Sequence, residues 1–258
     1  MPPRRPALLV LSLLVLLALV AGCSSGDADD RTPGDPVTQA EADVLAGVLH
    51  RNFEAGGADF VVTAPYAEGA VLTLTGEVDF PRGTGRAQAV TEYTDGRPAE
   101  TRSLCFTGSD LWCGDVPGLA EALTAAGLPE AGYVRRPIAG SDEAVTASLV
   151  DVLVQMVPRL SARAEDDPRS FTENGYSWQG SSSVDGQLAA LYRTGGGATI
   201  AVGADEQLLL QYVTRLPDQE FDVTITLADH GAREIELPAD EESLDATAHP
   251  EVAADLGV

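Results

Sequence analysis

The stretch FDVTITLADHG, residues 221–231, alternates without a break. Phe221, Val223, Ile225 and Leu227 fall on one side, and Asp222, Thr224 and Thr226 on the other. A period of two sends successive side chains to opposite faces, so this is a strand with one dry face and one wet face, the pattern of an antiparallel sheet. Asp229-His230-Gly231 then supplies turn residues. Residues 71–80 repeat the pattern, with Leu72, Leu74, Val78 and Phe80 opposed to Thr73, Thr75, Glu77 and Asp79. Residues 85–93 and 100–112 continue a meander through a turn at Asp95-Gly96. A second run of strands is predicted at 176–184, 187–193, 198–202, 207–215, 221–227 and 233–237, with turns at Asp185-Gly186 and Gly195-Gly196-Gly197.

Helical signals lie before and between these two runs. Thr38-Gln39-Ala40-Glu41 has capping-box form, and Val44, Leu45, Val48, Leu49 and Phe53 follow at helical spacing until Gly56-Gly57. Residues 117–126 read as a short helix closed by Gly127. Ser141 caps a longer one, with Leu149, Val152, Leu153, Met156, Val157 and Leu160 along one stripe and Pro158 kinking or ending it. Strands flank helices instead of alternating with them, which indicates α+β and not a doubly wound sheet. No internal repeat is visible. Residues 239–258 are acidic and weakly patterned, and are expected to form a loose C-terminal tail.

The N-terminus reads as an export signal. Met1 to Pro6 carries Arg4 and Arg5 and no acid, and the aliphatic residues 7–20 are too few for a comfortable membrane span. Val20-Ala21-Gly22-Cys23 resembles the bacterial lipobox, in which the cysteine is acylated and becomes the mature N-terminus. The competing reading is an ordinary secretory signal with a chance cysteine. On the lipobox reading, residues 1–22 are removed, Cys23 joins the protein to the membrane, and residues 23–36, rich in Ser, Gly, Asp and Pro, form a flexible tether. The protein would then sit on the extracytoplasmic face of the cell membrane.

Cleavage after Gly22 leaves 236 of the 258 residues and removes two arginines but no acid, moving the net charge from −24 to −26. So acidic a body is repelled by nucleic acid and by anionic lipid headgroups, and is expected to stand off the membrane that its lipid holds. The chain has no lysine, which we read as the imprint of a GC-rich, actinobacterial genome. Besides Cys23 there are two cysteines, Cys105 and Cys113, in CFTGSDLWC. A hairpin centred on Ser109 sets Cys105 opposite Cys113 and Phe106 opposite Trp112, close enough for a structural disulfide. Two cysteines without a nearby histidine make a poor zinc site.

Chemistry-bearing patterns are missing. His50, His230 and His249 are scattered, no serine sits in a G-x-S-x-G elbow, and the glycine run at 195–197 lacks the lysine and helix of a phosphate loop. Asp27, Asp29 and Asp30 do not have EF-hand spacing. Nothing calls for a metal or a cofactor, and the sequence reads as that of a non-enzyme.

The order of these elements, with FTGSDLW at 106–112 and the closing run DVTITLADHGAREIELP at 222–238, resembles the actinobacterial lipoproteins of the LppX/LprG type, whose fold is similar to the LolA-like carriers. The resemblance covers most of residues 38–238. It implies a domain over 37–238 built as a strongly curved antiparallel half-barrel with helices over its concave face. It also implies an apolar cavity between them for a lipid or lipoglycan. Leu45, Leu49, Phe53, Leu72, Leu74, Leu149, Leu153 and Met156 are the candidate cavity residues. Periodicity cannot separate cavity wall from solid core, since both are apolar. A filled core acting through its acidic surface on an envelope partner is therefore the alternative.

Overall fold

The computed structural model describes residues 31–139, 148–217 and 220–258. The expected signal peptide, the expected acylation site Cys23, most of the expected tether and the Ser141 cap lie outside them. Pro33–Val258 forms one compact unit.

Helix α1, Gln39–Ala55, starts as its sequence dictates. The Thr38 hydroxyl accepts from the Glu41 amide at 3.3 Å, and the Glu41 carboxylate accepts from the Thr38 amide at 2.8 Å. It ends at Gly56, whose φ of 95° is left-handed backbone that glycine adopts without penalty. One residue later the chain enters β1 (Gly57–Ala67), and β2 (Ala70–Asp79), β3 (Thr84–Tyr93), β4 (Glu100–Phe106) and β5 (Asp110–Gly114) follow. Helix α2 (Leu119–Ala126) leads to β6 (Tyr133–Pro137) and α3 (Leu149–Met156). Then come α4 (Pro168–Glu173), β7 (Ser177–Val184), β8 (Gln187–Arg193), β9 (Thr199–Gly203), β10 (Leu209–Arg215) and β11 (Asp222–Ala228), and finally β12 (Ser243–Asp245) and α5 (Pro250–Asp255).

The strands form one open sheet in the order β12-β6-β5-β4-β3-β2-β1-β11-β10-β9-β8-β7. Every pairing is antiparallel except β12 with β6. This is the α+β half-barrel expected from the sequence: two consecutive meanders joined where the first strand of one meets the last strand of the other. The inward face carries Phe60, Val62, Leu74, Leu104, Phe106, Ile225 and Leu227, and these pack with α1 and α3 in a single core. Gly85 has no side chain because the Phe106 ring lies on it; a Cβ there would collide with the ring.

Several expectations are corrected. The central strand β1 is absent from the sequence reading, which stopped at Gly57. Its adjacent Val61 and Val62 blur the alternation and Pro65 argues against a strand, yet Pro65 sits in the irregular stretch between Ala64 and Ala67, where the register shifts. Residues 233–237, predicted as a strand, are not one. Ser148, not Ser141, caps α3, and Pro158 ends the α-helix and starts a single 3-10 turn, Pro158–Leu160. The segment expected as a loose tail is folded: β12 extends the sheet beside β6, Leu244 and Ala253 are buried, and Arg135 bonds to Asp240 at 2.9 Å and Asp245 at 3.3 Å.

The disulfide is overturned. Phe106 pairs with Leu111, Cys105 with Trp112 and Leu104 with Cys113, so the hairpin is centred between Gly108 and Ser109 and not on Ser109. A slip of one residue sends a side chain to the other face. Cys113 therefore joins the inward core with Leu104, while Cys105 lies on the outer face beside Trp112, and both are free and buried. Burial pushes both thiols up, against a smaller opposing effect of Arg86 on Cys105 and of Arg136 on Cys113. Both should resist iodoacetamide at neutral pH in the folded protein and react fully on unfolding without a reductant, read by peptide mass mapping. Labelling that requires prior reduction would restore the disulfide.

Candidate functional site

The chemistry of the concave face begins with a polar residue in an apolar place. Asn52, fully buried on α1, donates from Nδ2 to the Leu160 carbonyl at 2.8 Å and accepts from the Leu209 amide on β10 at 3.1 Å. One side chain thus fixes the helix to the sheet below and to the loop beside it. That loop is further tied to the middle turns of α1. The Ala162 and Asp166 amides donate to the Leu49 and Ala46 carbonyls at 2.9 and 3.0 Å, and His50 Nδ1 lies 3.3 Å from the Ala162 carbonyl.

A pocket of approximately 720 Å³ lies between these fixed parts. Leu45, Val48 and Leu49 of α1 form one wall, Ile200, Leu209 and Tyr212 of β9 and β10 the floor, and Met156, Leu160 and Phe171 the remaining apolar surface. Phe171 meets Tyr176 edge-on at 4.9 Å between ring centroids. Burial, reinforced by neighbouring Tyr212 and Asp166, pushes the Tyr176 phenol up, so it stays neutral. Polar groups gather at the rim: Arg159, Asp166, Ser170, Asn174 and Thr194. Gly195 belongs there because its Cβ would strike the Asn174 carbonyl oxygen. The volume falls within the range of small-molecule sites, and an apolar interior with a few polar rim groups is their usual composition.

A second pocket of approximately 820 Å³ opens toward the other end of the sheet, over β3 to β6. Its wall contains Asp151 of α3, almost wholly buried and gripped by Arg136 of β6 at 2.7 and 3.0 Å in a two-pronged pair. The Ser148 hydroxyl accepts from the Asp151 amide, so cap and ion pair together place α3 on the sheet. Its lining mixes apolar and polar groups in about the same proportion as that of the first pocket, and includes Glu100, Arg102, Arg136 and Thr247.

The candidate cavity residues divide among four places. Leu45, Leu49 and Met156 line the first pocket, and Leu72 and Leu149 the second. Leu74 and Leu153 are fully buried in solid core and line neither. Phe53 is half-buried beneath Arg163, whose guanidinium lies 5.9 Å from the ring centroid. Phe171, Tyr176 and Tyr212 were not foreseen. The six-residue α4 is too short to show a helical period, and the strand residues gave a face without saying what stands opposite. Among the described residues there is no group of three metal-ligating side chains, and no helix is long and apolar enough to cross a membrane.

No protein-family model matches the chain, and no curated protein is similar to it in sequence. The chain is similar in structure to LprF from Mycobacterium bovis. Identity is 13%, the TM-score is 0.43, and the match covers 80% of this chain and 99% of that one. An uncharacterized conserved protein from Thermus thermophilus is similar at 10% identity and a TM-score of 0.37, with the same coverage of each chain.

The buried ion pair gives a prediction. Asp151→Ala leaves the Arg136 guanidinium without its partner at the edge of the core and should cost about 3–5 kcal/mol. Asp151→Leu combined with Arg136→Met should cost clearly less, because no charge is left stranded. Urea unfolding of both variants separates the two, and equal losses would refute a role for the pair in holding α3. Asn52→Ala, which strands the Leu209 amide and the Leu160 carbonyl, should cost about 2–4 kcal/mol in the same assay. A loss below about 1 kcal/mol would mean that the clamp contributes little.

Proposed function

We propose that the chain is a lipid-anchored protein of the extracytoplasmic membrane face that binds or hands over an amphiphilic lipid without covalent chemistry. On this reading residues 1–22 are a lipoprotein signal, Cys23 carries the acyl anchor, and the chain up to residue 36 joins it to the folded body. The observation that supports it is the approximately 720 Å³ pocket between α1, α4 and β8–β10, apolar within and polar at its rim. Shielding an acyl chain from water is worth about 0.8 kcal/mol for each methylene, so an apolar slot of this kind favours the chain of an amphiphile over most other ligands. The rim, with Arg159, Asp166, Ser170 and Asn174, offers donors and acceptors to a polar head group. Leu45, Leu49 and Met156 are the cavity residues we assign to this slot, and Leu72 and Leu149 would belong to a second chain site if one is used.

Native mass spectrometry of the mature protein, followed by solvent extraction, tests the reading. A stoichiometric bound lipid supports it. A clean apo mass that persists after incubation with membrane lipids would instead favour an envelope interaction module acting through its acidic surface. Two leucines from the same apolar pattern provide the control. Leu49→Trp projects into the pocket and should weaken lipid uptake about tenfold or more, the equivalent of about 1.4 kcal/mol, with a near-normal melting curve. Leu153→Trp enters solid core and should destabilise by about 1–3 kcal/mol. Full uptake by a well-folded Leu49→Trp protein would count against this pocket.

A further inference from the structure

The chain enters its folded body beside the mouth of the first pocket. The Gly34 amide donates to the Trp178 carbonyl at 2.8 Å, the Trp178 amide donates back to the Asp35 carbonyl at 2.8 Å, and Pro36 makes a single antiparallel bridge to Ser177, so residues 34–36 lie along the edge of β7. The Val37 amide then bonds to the carbonyl of Tyr176, which lines the pocket, and Val37 is buried. Gly34 lies eleven residues on from Cys23. Even fully extended, that length of chain spans no more than about 40 Å. A compact body of this length is about 45 Å across. A chain anchored at Cys23 could not reach round the body if its entry edge faced away from the membrane.

Charge points the same way. Arg82, Arg86, Arg97, Arg135, Arg136, Arg215 and Arg233 all pair with carboxylates. Arg159, Arg163, Arg169 and Arg193 cluster on the segments that rim the pocket, and among the described residues none of them is in an ion pair. Glu165, Asp166, Asp167 and Glu173 offset them there, so almost all of the net charge of −26 left after cleavage resides on the rest of the protein. An anionic bilayer repels the acidic remainder and tolerates this neutral face with its exposed guanidinium groups.

We infer that the protein rests on the anionic membrane surface with the mouth of this pocket turned toward the bilayer, so that an amphiphile passes between leaflet and pocket without crossing open water. The inference rests on the proposed acylation of Cys23. The partner is the lipid surface itself, contacted by the α4 segment, the turn after β8 and the entry edge of β7.

The two tryptophans report on it separately: Trp178 lies on the entry edge, and Trp112 lies on β5, nine positions away in the strand order. The mature acylated protein is placed in vesicles of phosphatidylcholine and phosphatidylglycerol carrying dansyl-phosphatidylethanolamine. Energy transfer to dansyl should be several-fold stronger in W112F, which retains Trp178, than in W178F. In the W112F background, Arg159→Gln, Arg169→Gln and Arg193→Gln together should reduce the transfer on these vesicles but not on phosphatidylcholine alone. This second comparison does not depend on W178F folding. Equal transfer from both tryptophans, or no effect of the arginine substitutions, overturns the orientation while leaving lipid binding intact. An intact mass without acyl chains at Cys23 overturns the anchor and the orientation together.

Discussion

The sheet depends on one pairing. Strands β1 and β11 meet over five residue pairs, from Asp59 with Ala228 to Thr63 with Thr224. Each of the two meanders is held by local hairpins, but only this contact joins them, across more than 150 residues of sequence. Without it β1 and β11 would each be left as a long unpaired edge, the arrangement most prone to wrong partners. With it, Phe60 and Val62 face inward beside Leu227 and Ile225 at the centre of the core. Helix α1 enters β1 through the single residue Gly56, so the placement of β1 also places the helix. The seam is closed by the Gly231 amide on the Gly57 carbonyl at 2.9 Å.

Given that helix position, the pocket follows from how little connects helix to sheet. Asn52 fixes the separation with two hydrogen bonds, and a polar clamp cannot slide or collapse as an apolar contact can. Toward β1 and β2 the space is filled by Phe60, Leu74 and Leu153. Toward β9 and β10 the α1 side chains are leucine and valine, the opposing floor is Ile200 and Tyr212, and the α4 segment closes only one side. Space is left there because Asn52 sets the distance and the side chains are too small to fill it.

The acidic composition is handled by placing arginines across strands from carboxylates, as in Arg86 with Glu77 and Arg215 with Asp222. Such exposed pairs add little stability singly. Their effect is on distribution: most cations are tied up on the strands and at the edge with β12, while Arg159, Arg163, Arg169 and Arg193, on the segments that carry the first pocket, and Arg51 and Arg102 elsewhere, are in no ion pair among the described residues. A chain of strongly negative net charge thus acquires one face that is not repelled by an anionic surface.

Much of the fold could be read from local signals. The Thr38–Glu41 capping box, the stop at Gly56, the turns at Asp95-Gly96 and Asp185-Gly186 and the alternation of 71–80 and 221–227 each depend on neighbours within a few residues. The α+β class followed from their order. What lay beyond the sequence depended on distant partners. The hairpin after Phe106 turned between Gly108 and Ser109, and that half-residue difference in centre sent Cys105 and Cys113 to opposite faces. Strand β1 and the folded C-terminal segment exist because β11 and β6 pair with them. Leu49 and Leu153 have the same apolar periodicity, yet one lines a pocket and the other is solid core. Periodicity determines which way a side chain points; only the tertiary structure decides what stands opposite, and that alone separates a cavity from a core.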